Sequence, residues 1–171
     1  MNKKVNYAKA AKPETLCPIA RAEDVVGDRW TVLVLRELFV GNRRFEAILA
    51  QTGATPQMVA DRLKRLVAAG LAEYRAYQQR PVRYEYWLTD KGEAFYPVLM
   101  ALRAWGERWL KTPDEGLATN YVHRDCGQPA GLGPLCESCG RPLTRANIIS
   151  RQNPAYAQER ADRAERFKTT K

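Results

Sequence analysis

The hydrophobic positions of this chain follow a helical spacing up to residue 70, a strand spacing over the next eighteen or so residues, and a helical spacing again. Ile19, Ala22, Val25 and Val26 recur at helical intervals behind Pro18, a residue suited to a first helical turn, and Gly27 closes the run. Arg29–Phe39 carries Trp30, Leu33, Val34, Leu35 and Leu38 nearly all round its axis, which predicts a buried central helix ended by Gly41 and Asn42. A short helix is expected around Arg44–Gln51, with Phe45, Ile48 and Leu49 facing inward. Thr52-Gly53-Ala54 then turns the chain. Thr55-Pro56 reads as an N-cap followed by a first-turn proline, opening a helix that stops at Gly70. Two helices joined by a tight glycine-containing turn make a helix-turn-helix unit.

Beyond Gly70, Leu71–Tyr77 and Val82–Leu88 read as strands joined by Gln78-Gln79-Arg80-Pro81, a hairpin or wing. Thr89-Asp90 caps one more helix, striped by Phe95, Leu99, Leu102, Trp105 and Trp109, with Pro97 expected to kink it or delay its start. No internal repeat is evident. The predicted fold is mainly α with a small β-hairpin. A flexible basic arm (1–14) precedes a winged helix-turn-helix domain (15–110). A linker (111–119), a small zinc-ribbon-like module (120–149) rich in Cys, Gly and Pro, and a charged tail (150–171) follow.

Composition narrows the classes. At 45% apolar residues, 171 residues can form one core of ordinary size and an appendage, which excludes a wholly disordered chain. No apolar run reaches membrane-span length and the start lacks the apolar core of a secretory signal, so a cytoplasmic protein with no membrane partner is expected. The formal charge of +9 is uneven. Residues 43–83 hold eight basic and three acidic groups, whereas the flanks 17–42 and 84–110 are each −1. A basic middle between near-neutral scaffolding is the footprint of a phosphate-binding surface, with a merely solvated face as the alternative.

On the helix from Thr55, the positions Val59, Leu63, Leu66 and Val67 share a core face, and Gln57, Met58, Asp61, Lys64 and Arg65 lie opposite. Recognition helices read bases mainly from their N-terminal half, so Gln57 and Met58, next to Thr55, are the base-contact candidates. Gln57 suits adenine and Met58 a thymine methyl. Lys64, Arg65 and the adjoining Arg62 are placed for phosphates. Asp61 could accept from cytosine N4 or pair with Arg65. Arg43 and Arg44 ahead of the preceding helix, and Arg80 and Arg83 at the wing, extend the basic surface. The expected partner is duplex DNA; the alternative is a protein- or RNA-interaction module using the same basic face.

Several segments resemble one family: Cys17-Pro18-Ile19-Ala20, Gly27-Asp28-Arg29-Trp30-Thr31, Leu35-Arg36-Glu37-Leu38, Arg43-Arg44-Phe45, Asp61-Arg62-Leu63-Lys64, Ala69-Gly70-Leu71, Tyr84-Glu85-Tyr86 and Leu88-Thr89-Asp90-Lys91-Gly92. In this order, over about residues 15–110, they are similar to the HxlR-type winged helix regulators. Gly53-Ala54 departs from the family's usual proline-glycine-hydrophobic turn. The resemblance implies a homodimeric transcription regulator whose terminal helices pair with a second subunit, bound to a pseudo-palindromic operator and open to a small-molecule effector or a redox signal. It also marks Cys17, at the start of the first helix, as a possible redox sensor, with an inert half-buried thiol as the alternative.

Cys17 stands apart from the other three cysteines. His123-x2-Cys126-x9-Cys136-x2-Cys139 offers four ligands in two knuckles, the spacing of a tetrahedral Cys3His site for one structural zinc per chain. A metal-free loop module and a redox-labile cysteine cluster are the alternatives. A zinc deaminase would need H-x-E and P-C-x-x-C. Here Asp125 stands in place of the glutamate, and Pro134-Leu135-Cys136 puts the proline one residue out. With a single histidine in the chain, a Ser-His-Asp or Cys-His catalytic centre is unsupported too, and no enzyme is expected.

Overall fold

In the computed structural model, residues 15–169 are described; the arm expected over 1–14 lies outside them. Four helices come first: α1 (Pro18–Val26), α2 (Arg29–Phe39), α3 (Phe45–Thr52) and α4 (Pro56–Ala68). The antiparallel strands β1 (Ala72–Gln79) and β2 (Val82–Leu88) follow, then α5 (Asp90–Glu93) and α6 (Tyr96–Trp109). A second antiparallel pair, β3 (Thr119–His123) and β4 (Ile148–Gln152), precedes α7 (Pro154–Thr169). The fold is mainly helical with two small hairpins, a winged helix-turn-helix followed by a Cys/His module. The chain divides into two compact units after Gly92.

In the first unit, α2 packs on both α3 and α4. Val34, Leu35, Ile48, Val59, Leu63 and Leu66 are wholly buried, so one face of each of these three helices faces a shared core. Two buried polar ties fix the helix ends. The Asp28 carboxylate caps α2 by accepting from the Trp30 and Thr31 backbone N–H groups at 3.0 and 3.1 Å, and also takes the Thr31 hydroxyl. Arg62 of α4 reaches it at 2.9 Å. Burial opposes ionisation of Asp28, but the Thr31 and Arg62 bonds outweigh it and hold its pKa below the usual carboxylate value. The second tie is Glu37, wholly buried, which accepts from Arg36 at 2.8 Å and from Asn42 Nδ2 at 2.6 Å.

The turn after α4 is closed by residues twenty positions on. Thr89 Oγ1 donates to the Gly70 carbonyl and Lys91 Nζ to that of Ala69, both at 2.6 Å. Thr89 also accepts from the Gly92 N–H at 3.2 Å, capping α5. A Cβ on Gly92 would stand 2.0 Å from the Leu71 carbonyl oxygen, so only glycine lets the chain pass.

The second unit starts at Glu93. Pro97 does delay the long helix: α5 stops at Glu93, and α6 begins with the proline in its first turn, where a missing N–H costs nothing. Tyr96 and Met100 of α6 are buried. On the same side, Arg103 donates to the carbonyls of Thr119 at 2.5 Å and Leu132 at 3.0 Å, and stacks on Tyr121. Glu107 accepts the Ala118 N–H and pairs with Lys111, both at 3.1 Å. The helix α7 buries no residue among those described and is laced by exposed ion pairs such as Arg163–Glu159 and Lys168–Glu165, as a charged, alanine-rich stretch would be.

Candidate nucleic-acid interface and metal centre

The α3–α4 turn depends on Gly53, whose φ of 69° suits a residue without a side chain. Thr55 then caps α4 by accepting from the Met58 N–H at 3.3 Å, with Pro56 in the first turn. The opposite side of α4 from Val59, Leu63 and Leu66 exposes Gln57, Lys64 and Arg65, with Met58 and Asp61 half-exposed. Asp61 takes Gln57 Nε2 at 3.0 Å, where the sequence had suggested Arg65. At the wing tip, Arg80 and Arg83 are exposed. No ion pair among the described residues engages Lys64, Arg65, Arg80 or Arg83.

The other cations are placed differently. Arg62 is spent on Asp28. Arg43 lies over the Trp87 ring, 3.2 Å from its centroid, with Arg75 over the same ring at 4.6 Å. Arg44 pairs with Glu85 at 3.1 Å and stacks on Tyr77 at 4.5 Å. The backbone explains why. The Tyr86 N–H donates to the Arg43 carbonyl at 2.8 Å and Arg44 bridges to Glu85, so this segment adds a short third strand to the wing. Sequence reading missed that strand, because a two-residue bridge leaves no periodicity to find. Cys17 is exposed at the N-cap of α1, its thiol making no capping bond.

The second unit brings His123, Cys126, Cys136 and Cys139 together, with all four ligand atoms within 4.8 Å of one another. His123 Nδ1 lies 3.4 Å from Cys126 Sγ and 3.3 Å from Cys139 Sγ, and Cys126 Sγ lies 3.8 Å from Cys136 Sγ. This cluster could hold a metal ion. Burial opposes ionisation of Cys136, but the backbone N–H groups of Cys139 and Ser138 bring its pKa down to about 7. Cys126 accepts the Gln128 N–H, which favours its thiolate, yet burial and the neighbouring thiols leave its pKa raised.

The two knuckles are copies of one unit, which corrects the reading that the chain has no internal repeat. The Gly127 N–H donates to the His123 carbonyl and the Gly140 N–H to that of Cys136, both at 2.8 Å. His123 N–H donates to Gln128 O, and Cys136 N–H to Arg141 O, at 3.0 and 2.9 Å. Val122 bridges Pro129 as Leu135 bridges Pro142, and both glycines have positive φ. The signal was present as H-x-x-C-G-x-P and C-x-x-C-G-x-P, hidden by the exchange of His123 for a cysteine at the first position.

A helix-turn-helix with an exposed, partly cationic second helix and an adjoining wing defines the class: a winged helix, DNA-binding transcription regulator. Residues 25–114 match the model of the HxlR-like helix-turn-helix family, and the chain belongs to that family. An HTH-type transcriptional regulator of Mycobacterium tuberculosis is 35% identical over 138 residues, covering 81% of this chain and 87% of the relative. Among solved structures, the candidate transcription factor PA1607 matches with a TM-score of 0.63 and 35% identity, over 82% of this chain and 97% of its own. The oxidized form of the redox regulator HypR matches with a TM-score of 0.52 and 28% identity, over 56% of this chain and 100% of its own.

Proposed function

We propose that this chain is a cytoplasmic, homodimeric, sequence-specific regulator that lays α4 in the major groove of a pseudo-palindromic operator. The observation that carries this reading is α4 itself: one face wholly buried, the other presenting Gln57 early and Lys64 and Arg65 late. Gln57 and Met58, just after the Thr55 cap, read base edges; Lys64, Arg65, Arg80 and Arg83 meet phosphates. Asp61 holds the Gln57 amide until an adenine replaces it. Arg62, Arg43 and Arg44 act mainly by fixing the frame from which the others reach.

Selection from a random duplex library, followed by titration at several salt concentrations, tests this. Lys64→Ala and Arg65→Ala are each expected to weaken binding to every sequence and to lower the salt slope by about 0.9. Gln57→Ala should change the preferred base at one position of each half-site, a loss of about tenfold or more for the original base. An unchanged preference would remove Gln57 from the reading face, and tighter binding to single-stranded RNA than to any selected duplex would overturn the DNA reading.

The second unit supports one structural zinc per chain. With Zn–S near 2.3 Å and Zn–N near 2.0–2.1 Å, a tetrahedral site needs S···S of about 3.8 Å and N···S of about 3.5 Å. The 3.8, 3.4 and 3.3 Å edges among Cys126, Cys136, Cys139 and His123 suit that size. The backbone N–H groups aimed at Cys126 and Cys136 favour thiolates, the form that ligates. Bound there, zinc would act as a cross-link between the knuckles.

Cys17 is then the thiol left for signalling. It is exposed at a helix N-terminus, and HypR, a structural relative, is itself a redox regulator. In reduced, zinc-loaded protein, mass spectrometry after brief alkylation is expected to find one modified cysteine, Cys17. Equal labelling of all four thiols would refute both assignments; modification of Cys17 without effect on operator affinity would refute its sensing role. A small-molecule effector would be a separate input, read by adding candidates to the same affinity measurement.

A further inference from the structure

His123 is wholly buried, and its outward nitrogen, Nε2, makes no hydrogen bond of good geometry. Nδ1 is turned to the thiols, so in a metal-bound state Nδ1 ligates and Nε2 carries the proton. A buried N–H without an acceptor costs about 1–3 kcal/mol, and here a carboxylate oxygen stands close by. Asp125 Oδ2 lies 3.4 Å from Nε2, and Arg141 Nη1 lies 3.8 Å from the same oxygen. Asp125 belongs to the first knuckle and Arg141 to the second, so this chain of contacts crosses from one copy of the repeat to the other.

Building on the zinc reading, we propose that Asp125 is the positioning residue of the metal centre. Its carboxylate accepts the Nε2–H proton of His123, fixes the Nδ1-ligating tautomer and raises the imidazole's strength as a donor, while Arg141 holds the carboxylate in place. A histidine ligand commonly engages a carboxylate, carbonyl or water through its second nitrogen, and loss of such a partner typically lowers metal affinity 10–100-fold. The repeat makes the assignment specific. The position matching Asp125 in the second knuckle is Ser138, whose hydroxyl donates to the Pro129 carbonyl at 2.8 Å. That knuckle starts with a cysteine and has no imidazole to orient.

The experiment uses the full, untagged chain, in which His123 is the sole histidine, so its imidazole signals are unambiguous. Zinc affinity is measured by competition with a chromogenic chelator, and the His123 ring is followed by nitrogen-15 NMR. Asp125→Ala should weaken zinc binding about 10–100-fold and speed exchange of the Nε2–H proton with water. Asp125→Asn, which keeps an acceptor but not the charge, should fall between, and Arg141→Ala should have a smaller effect than either. A zinc affinity within twofold of the parent in Asp125→Ala, with an unchanged Nε2–H signal, overturns the proposal while leaving the zinc reading intact. A parent chain that takes up no zinc overturns both. A ring found to ligate through Nε2 overturns the proposal alone.

Discussion

Chelating the metal is expected to unfold residues 119–152 and to leave the helix-turn-helix unit folded. The second unit's module buries little besides Ala130, Cys136, His123 and Leu143, too small a core for about 30 residues to fold unaided. Structural zinc contributes roughly 10–16 kcal/mol of apparent binding energy in small finger peptides, and here that energy would be folding energy. The loss should spread to α6. With the module unfolded, Arg103 loses the Thr119 and Leu132 carbonyls, and Glu107 loses the Ala118 N–H. Those contacts are the polar half of what holds the helix against its own unit. Amide exchange followed by mass spectrometry on the full chain, with and without chelator, reads this directly. Protection in β3 and β4 should fall on the order of 1,000-fold and the second half of α6 should loosen, while α2 and α4 stay unchanged. Cys139→Ser should reproduce the pattern without chelator. Equal protection of β3 and β4 in both states would show that the module stands without metal and remove zinc's structural role.

The elements were legible because burial imposes a period. Val59, Leu63 and Leu66 could be placed on one face of α4 from spacing alone, and the Thr55-Pro56 start and Gly53 turn from local backbone preferences. What spacing does not carry is which charge meets which. Asp28 and Arg62 are 34 residues apart, and Arg44 and Glu85 are 41 apart. Nothing local distinguishes an arginine that will tie two helices from one that will meet phosphate. The segments that carry the family resemblance prove to be largely such ties. Asp28 and Arg62 bind each other, Glu37 gathers Arg36 and Asn42, and Thr89, Lys91 and Gly92 close the end of α4. They specify the frame shared by the family. The side chains that would choose an operator, Gln57 and Met58, lie outside those segments. The metal ligands were legible from their spacing, whereas Asp125 was not: its significance lies in the buried nitrogen it approaches, which only the folded chain displays.

Substituting Trp105 and Trp109 with alanine is expected to turn a dimer into a monomer at micromolar concentration. One side of α6 carries Tyr96, Met100, Arg103 and Glu107 and is used within its own unit. The other carries Val98, Leu102, Trp105 and Trp109, spaced four, three and four residues apart as in a helix–helix seam. These four are 54, 50, 54 and 67% exposed, far more than a chain would leave bare with two indoles among them. The sequence stripe had included Phe95 and Leu99 instead of Val98; both are half-buried, so the open seam is rotated slightly from the expected one. The helix α1 likewise buries none of its residues, and Ile19 is 70% exposed. A second copy of this chain would cover such a face with its own, and in a two-fold dimer each substitution counts twice. Taking about 2 kcal/mol for a tryptophan anchor at an interface centre, the single change Trp105→Ala would cost roughly 4 kcal/mol per dimer, about a 1,000-fold rise in the dimer dissociation constant. Analytical ultracentrifugation of the metal-loaded protein gives that constant. Operator affinity should fall with it, because one reading head meets one half-site while two meet both, about 10 base pairs apart. Binding to an isolated half-site should be nearly unchanged, which separates lost assembly from a damaged reading face. A parent chain that sediments as a monomer at micromolar concentration would end the dimer reading, and a Trp105→Ala, Trp109→Ala variant that stays dimeric would move the interface away from α6.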